Sequence, residues 1–330
     1  MKKSLLAVVA ALAIAGCSQT EIDNEGKQDG RNAISFNTLV GKNPRAVINN
    51  SNFESFKLSS FIVEAADIAT TGLGTPYMNN ITYSGGQNNW TTTDGTFYWP
   101  SEKMQFFGYH PSATFEKPAT GYPNLGYTLT ASADQDIVVA YAKDAEKPSL
   151  NANLALTFKH IMTRINFSAE VVDGFTYTIT AIKITGTSGN TGKFTFDKAS
   201  DDTTEGAKVG TWVVSGNEPA EGYTYVHNSS ATADVNHIID LTNSENDNSL
   251  MLFPQTDLSG VKISITYSTM LNSKSFYTGT KEFEFTAGEW KMGQSIRYKL
   301  ALPAGADKIN VTPSVDDNNW NIPSSGTEIN

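Results

Sequence analysis

The chain has one cysteine in 330 residues, so no disulfide can form within it and the fold must be held by its core or by a partner. Histidine is almost as scarce. His110, His160, His227 and His237 are widely spaced, and none stands in a zinc-type grouping with another His or with the cysteine. Basic residues number 24 against 34 acidic ones, and the net charge of −10 repels phosphate backbones, which excludes nucleic acid as an expected partner. The sequence lacks G-x-S-x-G, a glycine-rich phosphate loop and H-E-x-x-H. No catalytic residue, metal ligand or cofactor is therefore assigned, and the chain is not expected to be an enzyme. The acid pairs Asp201-Asp202 and Asp316-Asp317 read as solvated loop charge. The group Asp240, Glu245 and Asp247 lacks the glycine and terminal glutamate of an EF-hand loop.

What is present favours strands. The 26 glycines, 13 tyrosines and 17 phenylalanines, among many Thr and Ser residues, suit short strands and turns. With 39% hydrophobic residues the chain can bury one large core or two ordinary ones, and two is the expectation at this length. Near the midpoint, Leu154, Leu156 and Phe158 alternate with polar or small neighbours, and Ile161, Arg164 and Phe167 continue after His160. That rhythm reads as two strands separated by a half-turn within 161–165. Further candidates precede it at 33–39, 56–65, 77–90, 104–111 and 136–141. Others follow at 167–172, 176–185, 193–197, 211–215, 249–254, 261–267, 281–285 and 296–302. The reading is all-β: two tandem Greek-key β-sandwiches at 33–165 and 166–303, meeting near Arg164–Phe167.

Both ends differ from the body. Lys2 and Lys3 precede the ten-residue apolar run Leu5–Ile14, too short to span a bilayer, and Ala15-Gly16-Cys17 then reads as a lipoprotein signal-peptidase site. Residues 1–17 are accordingly expected to be a signal peptide and lipobox, with Cys17 lipidated by fatty acid and the membrane reached through it. Residues 18–32 are polar and aperiodic, a tether of roughly 20 Å r.m.s. span. At the other end, 304–330 opens with the small residues Ala304-Gly305-Ala306. It continues into the alternating stretch 308–316, with Ile309, Val311 and Val315 on one side and no obvious partner strand left in the chain. Trp90, Trp99, Trp212 and Trp290 lie in or beside strand candidates and are expected in the core or an interface; Trp320 lies in the tail.

Five segments carry a resemblance. LTFKHIMTRINFS at 156–168 resembles the central hallmark of the fimbrillin family, lipoprotein subunits of lipid-anchored pili of Bacteroidales-type bacteria. Phe97-Tyr98-Trp99-Pro100 with MQFFGYHP at 104–111, Met251–Gln255, and the close Ala287-Gly288-Glu289-Trp290 through Tyr298 resemble further family motifs in the same order. Leu300 departs from the pattern, standing where the family has a second tyrosine.

The resemblance implies a transthyretin-like topology and a pilus subunit. It further implies an outer-membrane lipoprotein precursor exported to the surface and trimmed of its first strand by an Arg- or Lys-specific protease. Polymerisation with copies of itself and other pilus subunits would then follow by strand addition. Within this sequence Arg45, after Pro44 in the polar loop Val40–Asn50, is the candidate processing site, with Lys42 and Arg31 as competitors. Ile309, Val311 and Val315 are the candidate donor strand. Two alternatives remain: the loop is exposed to any protease, and the last strand folds back on its own second unit. The rival function, a surface glycan-binding lipoprotein of a nutrient-uptake system, needs neither processing nor donation and should present an exposed aromatic platform.

Overall fold

The computed structural model describes residues 32–41, 48–63, 67–86, 88–111, 113–133, 135–149, 152–197, 209–227, 232–241 and 249–315. They form β1 (Phe36–Val40), β2 (Ser55–Ile62), a single helical turn α1 (Ile68–Thr71), the hairpin β3 (Pro76–Gly86) and β4 (Asn89–Thr91), and β5 (Met104–His110). Next come β6 (Thr114–Glu116), β7 (Asn124–Thr128), β8 (Val138–Ala145), β9 (Leu154–His160), β10 (Thr163–Val171), β11 (Thr176–Thr185), β12 (Thr191–Phe196) and β13 (Gly210–Ser215). The series ends with β14 (Tyr223–Tyr225), β15 (Ile238–Asp240), β16 (Leu250–Leu252), β17 (Lys262–Leu271), β18 (Lys274–Glu284), β19 (Ser295–Leu302) and β20 (Asn310–Val315). The fold is an all-β sandwich of several sheets.

A seven-stranded sheet runs β1-β9-β8-β5-β2-β3-β4. Every neighbour in it is antiparallel except β1 and β9, which are parallel with Phe36 opposite Leu154 and Val40 opposite Phe158. The sheet curls until its two edge strands, β1 and β4, lie against each other. Its concave face encloses Phe36, Phe56, Leu58, Tyr83, Phe106 and Phe158. Strand β5 is buried on both faces, as its aromatic run predicts. Gly108, in the middle of β5, makes that packing possible, since a Cβ there would lie 3.0 Å from the Phe158 ring.

The second half contributes two sheets. One has the order β15-β10-β19-β20, with β16 also on β10; the other runs β14-β11-β17-β18. A third sheet, β13-β12-β7-β6, combines strands from both halves. Beneath it Phe107 and Tyr141 meet Phe196, at 5.1 Å for the Phe107–Phe196 ring pair. The larger apolar cluster therefore continues from Phe61 and Phe107 through Ile165, Tyr267 and Leu300 to Val311. The described residues form two cores, but these lie on opposite faces of the seven-stranded sheet and do not correspond to two halves of the chain. The turn near the midpoint occupies only Ile161 and Met162, and all partners of β10 lie in the second half.

Candidate functional site

Strand β1 occupies the seam of the curled sheet. Phe36 is 1% exposed. Its ring meets Tyr83 at 5.0 Å, Phe56 at 5.9 Å and Phe106 at 6.1 Å, all edge-on. Ile34 and Val40 are buried beside it, while Leu39 faces solvent. Ahead of β1 the chain is fastened to the aromatic motif at 97–99. Ile34 N–H donates to the Phe97 carbonyl at 2.8 Å, and Trp99 N–H to the Asn32 carbonyl at 2.9 Å.

On the β9 side, the Ser35 carbonyl accepts from Leu154 N–H at 2.8 Å and Gly41 N–H donates to the Phe158 carbonyl at 3.1 Å. Bonds along a parallel pair recur at every second residue. Odd-numbered residues of β1 therefore face β9, and the N–H groups of Phe36, Thr38 and Val40 point away from it. That of Val40 accordingly reaches the Asn50 side chain, at 2.7 Å.

At the other end of the chain, the expectation that 308–316 lacks a partner is corrected. Strand β20 lies antiparallel on β19, with Ala301 opposite Asn310 and Ile296 opposite Val315. Ile309 and Val311 are buried, at 7% and 8% exposure. Pro313 is tolerated because β20 is an edge strand. Among the three candidate donor residues, Ile309 and Val311 thus share the larger core, and Val315 is placed by its backbone pairing.

The small-residue hinge ahead of β20 is clasped. Tyr177 donates to the Leu302 carbonyl at 3.0 Å, Tyr267 to Pro303 at 2.8 Å, Thr269 to Ala304 at 2.6 Å and Lys281 to Asp307 at 2.6 Å. Burial pushes the Tyr177 and Tyr267 hydroxyls above their ordinary range, so both remain protonated donors at neutral pH.

Cys17, Lys42 and Arg45 lie outside the described residues. His160, at the end of β9, is fully buried and its Nδ1 lies 2.7 Å from an equally buried Asp136 carboxylate. That partner was not identified in the sequence, where Asp136 appeared only as the start of an apolar run. Trp290 donates to the Tyr298 hydroxyl at 2.9 Å, joining the two aromatic positions of the closing motif. Gln255 accepts from Ser188 N–H at 3.1 Å and donates to the Phe253 carbonyl at 3.1 Å. These motif residues organise the core. Among the described residues, no three potential metal ligands come together and no helix is long and apolar enough to cross a membrane.

The fold has counterparts among solved proteins. A model of fimbrillin-like proteins matches residues 45–320. The chain belongs to the fimbrillin-like family. A fimbrial protein from Bacteroides vulgatus ATCC 8482 shares 17% identity with this fimbrillin-like chain, over 88% of it and 99% of the solved chain, with a TM-score of 0.61. A candidate cell adhesion protein from Bacteroides uniformis ATCC 8492 shares 13%, over 89% and 99%, with a TM-score of 0.52. At these identities the likeness establishes the fold. No curated protein matches the fimbrillin-like chain.

Proposed function

We propose that this fimbrillin-like protein is a structural, non-enzymatic subunit of a cell-surface pilus that contributes to adhesion and polymerises by donor-strand exchange. Family membership and the fimbrial neighbour support the pilus role. The mechanism rests on a match between two segments of this chain. Ile34, Phe36 and Val40, the buried apolar residues of the seam, are spaced 0, 2 and 6, with the buried Thr38 between the last two. Ile309, Val311 and Val315 have the same spacing. Laid in the groove of β1, the second set places Pro313 at Thr38, a position whose N–H points away from β9. A proline there forfeits no bond to β9.

Magnitudes favour an exchange after cleavage. Loss of the three seam side chains exposes apolar surface worth roughly 1.5–3 kcal/mol each. The sum is comparable with the whole net stability of a domain, about 5–15 kcal/mol. An opened seam is thus a strong acceptor for a strand of matching pattern. In this reading the precursor reaches the outer membrane through lipidated Cys17. A surface protease cuts at Arg45, or at Lys42, and β1 leaves. The rival glycan-binding reading draws no support from the described tryptophans: Trp99 and Trp290 are buried, Trp90 packs on Phe53 and Phe56, and Trp212 packs on Phe194 and Phe253.

The direct test is a chain in which Lys42 and Arg45 are both replaced by alanine. It should accumulate at the surface as monomer, with β1 retained on N-terminal sequencing and few polymers by electron microscopy. Pili of normal length from that chain would refute processing in this loop. Lipidation has its own test. Cys17→Ala should abolish incorporation of labelled fatty acid and hold the precursor at an earlier export stage. Equal label in the variant would sink the assignment of Cys17.

A further inference from the structure

We propose that one pole of the molecule, formed by Val172, Phe175 and Phe276 around the hinge Pro303–Asp307, seats directly on the aromatic edge Tyr77–Phe97–Tyr98 of the next copy of this chain. The inference rests on the donor-strand reading above and adds a contact which that reading does not itself require. Val172 and Phe276 are 45% and 57% exposed, large apolar side chains in water. Phe276 meets Phe175 edge-on at 5.1 Å, and with the hinge they line an open hollow of about 590 Å³. A Cβ on Gly305 would lie 3.2 Å from the Phe276 ring, so the hinge runs close under it.

This pole is remote from the seven-stranded sheet. Strand β10 starts three residues after His160 ends β9, and β10 and β19 run parallel from there. Val172 lies beyond the last residue of β10, roughly 30 Å along at about 3.3 Å per residue.

What commits the patch to a second copy is the length of the connection. Between Asp307, the last clasped residue of the hinge, and Ile309, the first buried residue of the donor, only Lys308 intervenes. Two residues of extended chain span at most about 7 Å. A donated strand therefore brings its own pole up against the mouth of the acceptor groove. The matched spacing fixes which mouth. With Ile309 at the position of Ile34, Lys308 lies at Ala33 and Asp307 at Asn32, beside the 97–99 segment that pairs with residues 32–34.

That mouth is aromatic. Tyr77 is partly exposed, its ring meets Phe97 at 6.2 Å, and its hydroxyl donates to the Tyr98 carbonyl at 2.6 Å. Two apolar patches, at opposite ends of one chain, are thus brought together by a connector too short to keep them apart. Such a contact is head-to-tail and does not close on itself, as a filament requires.

The test uses the full chain cleaved at the 42–45 loop by an arginine-specific protease. Cleaved chain without Cys17 has no other cysteine. A Phe276→Cys substitution in that background therefore accepts a single benzophenone maleimide. Irradiated polymers should give adducts mapping to residues 76–99 of the neighbour. The double variant Val172→Asp and Phe276→Asp, at exposed positions, should polymerise at least about tenfold less, a change equal to 1.4 kcal/mol. A synthetic peptide of residues 307–316 should still bind the cleaved variant as it binds cleaved wild type. Adducts elsewhere, or undiminished polymerisation of the double variant while the peptide binds, overturn the interface and leave strand donation standing. Cleaved wild type that neither polymerises nor binds the peptide overturns both.

Discussion

A Phe36→Ala chain is expected to lose about 3–5 kcal/mol of stability, the usual cost of removing a buried phenylalanine. The ring sits where the two edges of a curled sheet meet, touching Phe56, Tyr83 and Phe106 together. None of those three can relax into the space freely, because each is buried and shared with other rings such as Trp90, Trp99 and Phe158. Urea unfolding followed by tryptophan fluorescence would report the change, since Trp90 and Trp99 lie in the same core. A shift below about 1 kcal/mol would mean that the seam collapses easily, and that vacating it leaves no groove worth filling. The same substitution should also let the uncleaved chain bind the 307–316 peptide, because a weakened β1 is easier to displace.

The second large effect concerns the far end of the chain. With Ile309 and Val311 both replaced by aspartate, cleaved chains should remain monomeric. Two carboxylates cannot enter an apolar groove without losing hydration that nothing there replaces. The aspartates should also release β20 from its home edge, where Ile309 and Val311 are buried, but the rest of the fold should survive because β19 keeps its eight-residue pairing with β10. Circular dichroism of the variant should match that of a chain ending at Ala306, and electron microscopy should show no filaments. Filaments of normal length and heat resistance would show that β20 serves only its home sheet. A chain ending at Ala306 gives an independent version of the experiment. It removes the donor without placing charge against the body of the molecule.

Alternation made most of this readable in the sequence. The first strand and the closing β19 show the period-two burial that their side chains announce, while β5 and β10 are buried on both faces. The long hairpin β17–β18 was only half legible. Its outer portion, TMLNSKSFYTGT, is mostly polar, and its two-residue turn is Asn272-Ser273, both at positive φ, where a glycine would have signalled the reversal. Strands β6 and β7 were missed because they are short: β6 pairs only with its neighbour β7, and β7 takes its other partner, β12, from far along the chain, where pairing leaves no local mark. Asp136 was passed over because a carboxylate beside an apolar run reads as a strand end until the fold brings His160 to it. The home partner of β20 was hidden for a related reason: nothing near residue 310 says that β19 has a vacant edge.

The larger core, which passes under the mixed sheet without a break between the halves, has a mechanical consequence. In a filament joined by the proposed strand donation, the pull would enter each subunit through the strand held by the seven-stranded sheet and leave through the clasped hinge at the other pole. Among the described residues the core between those points is continuous. Load is carried in shear along the parallel pair of β10 and β19 and through rings such as Phe107 and Phe196, which belong to different halves but pack as one body. Such a subunit is stiff up to a threshold and then yields as a whole. Single-filament force measurements should therefore show long, evenly sized unfolding steps, with no shorter steps from one half releasing before the other.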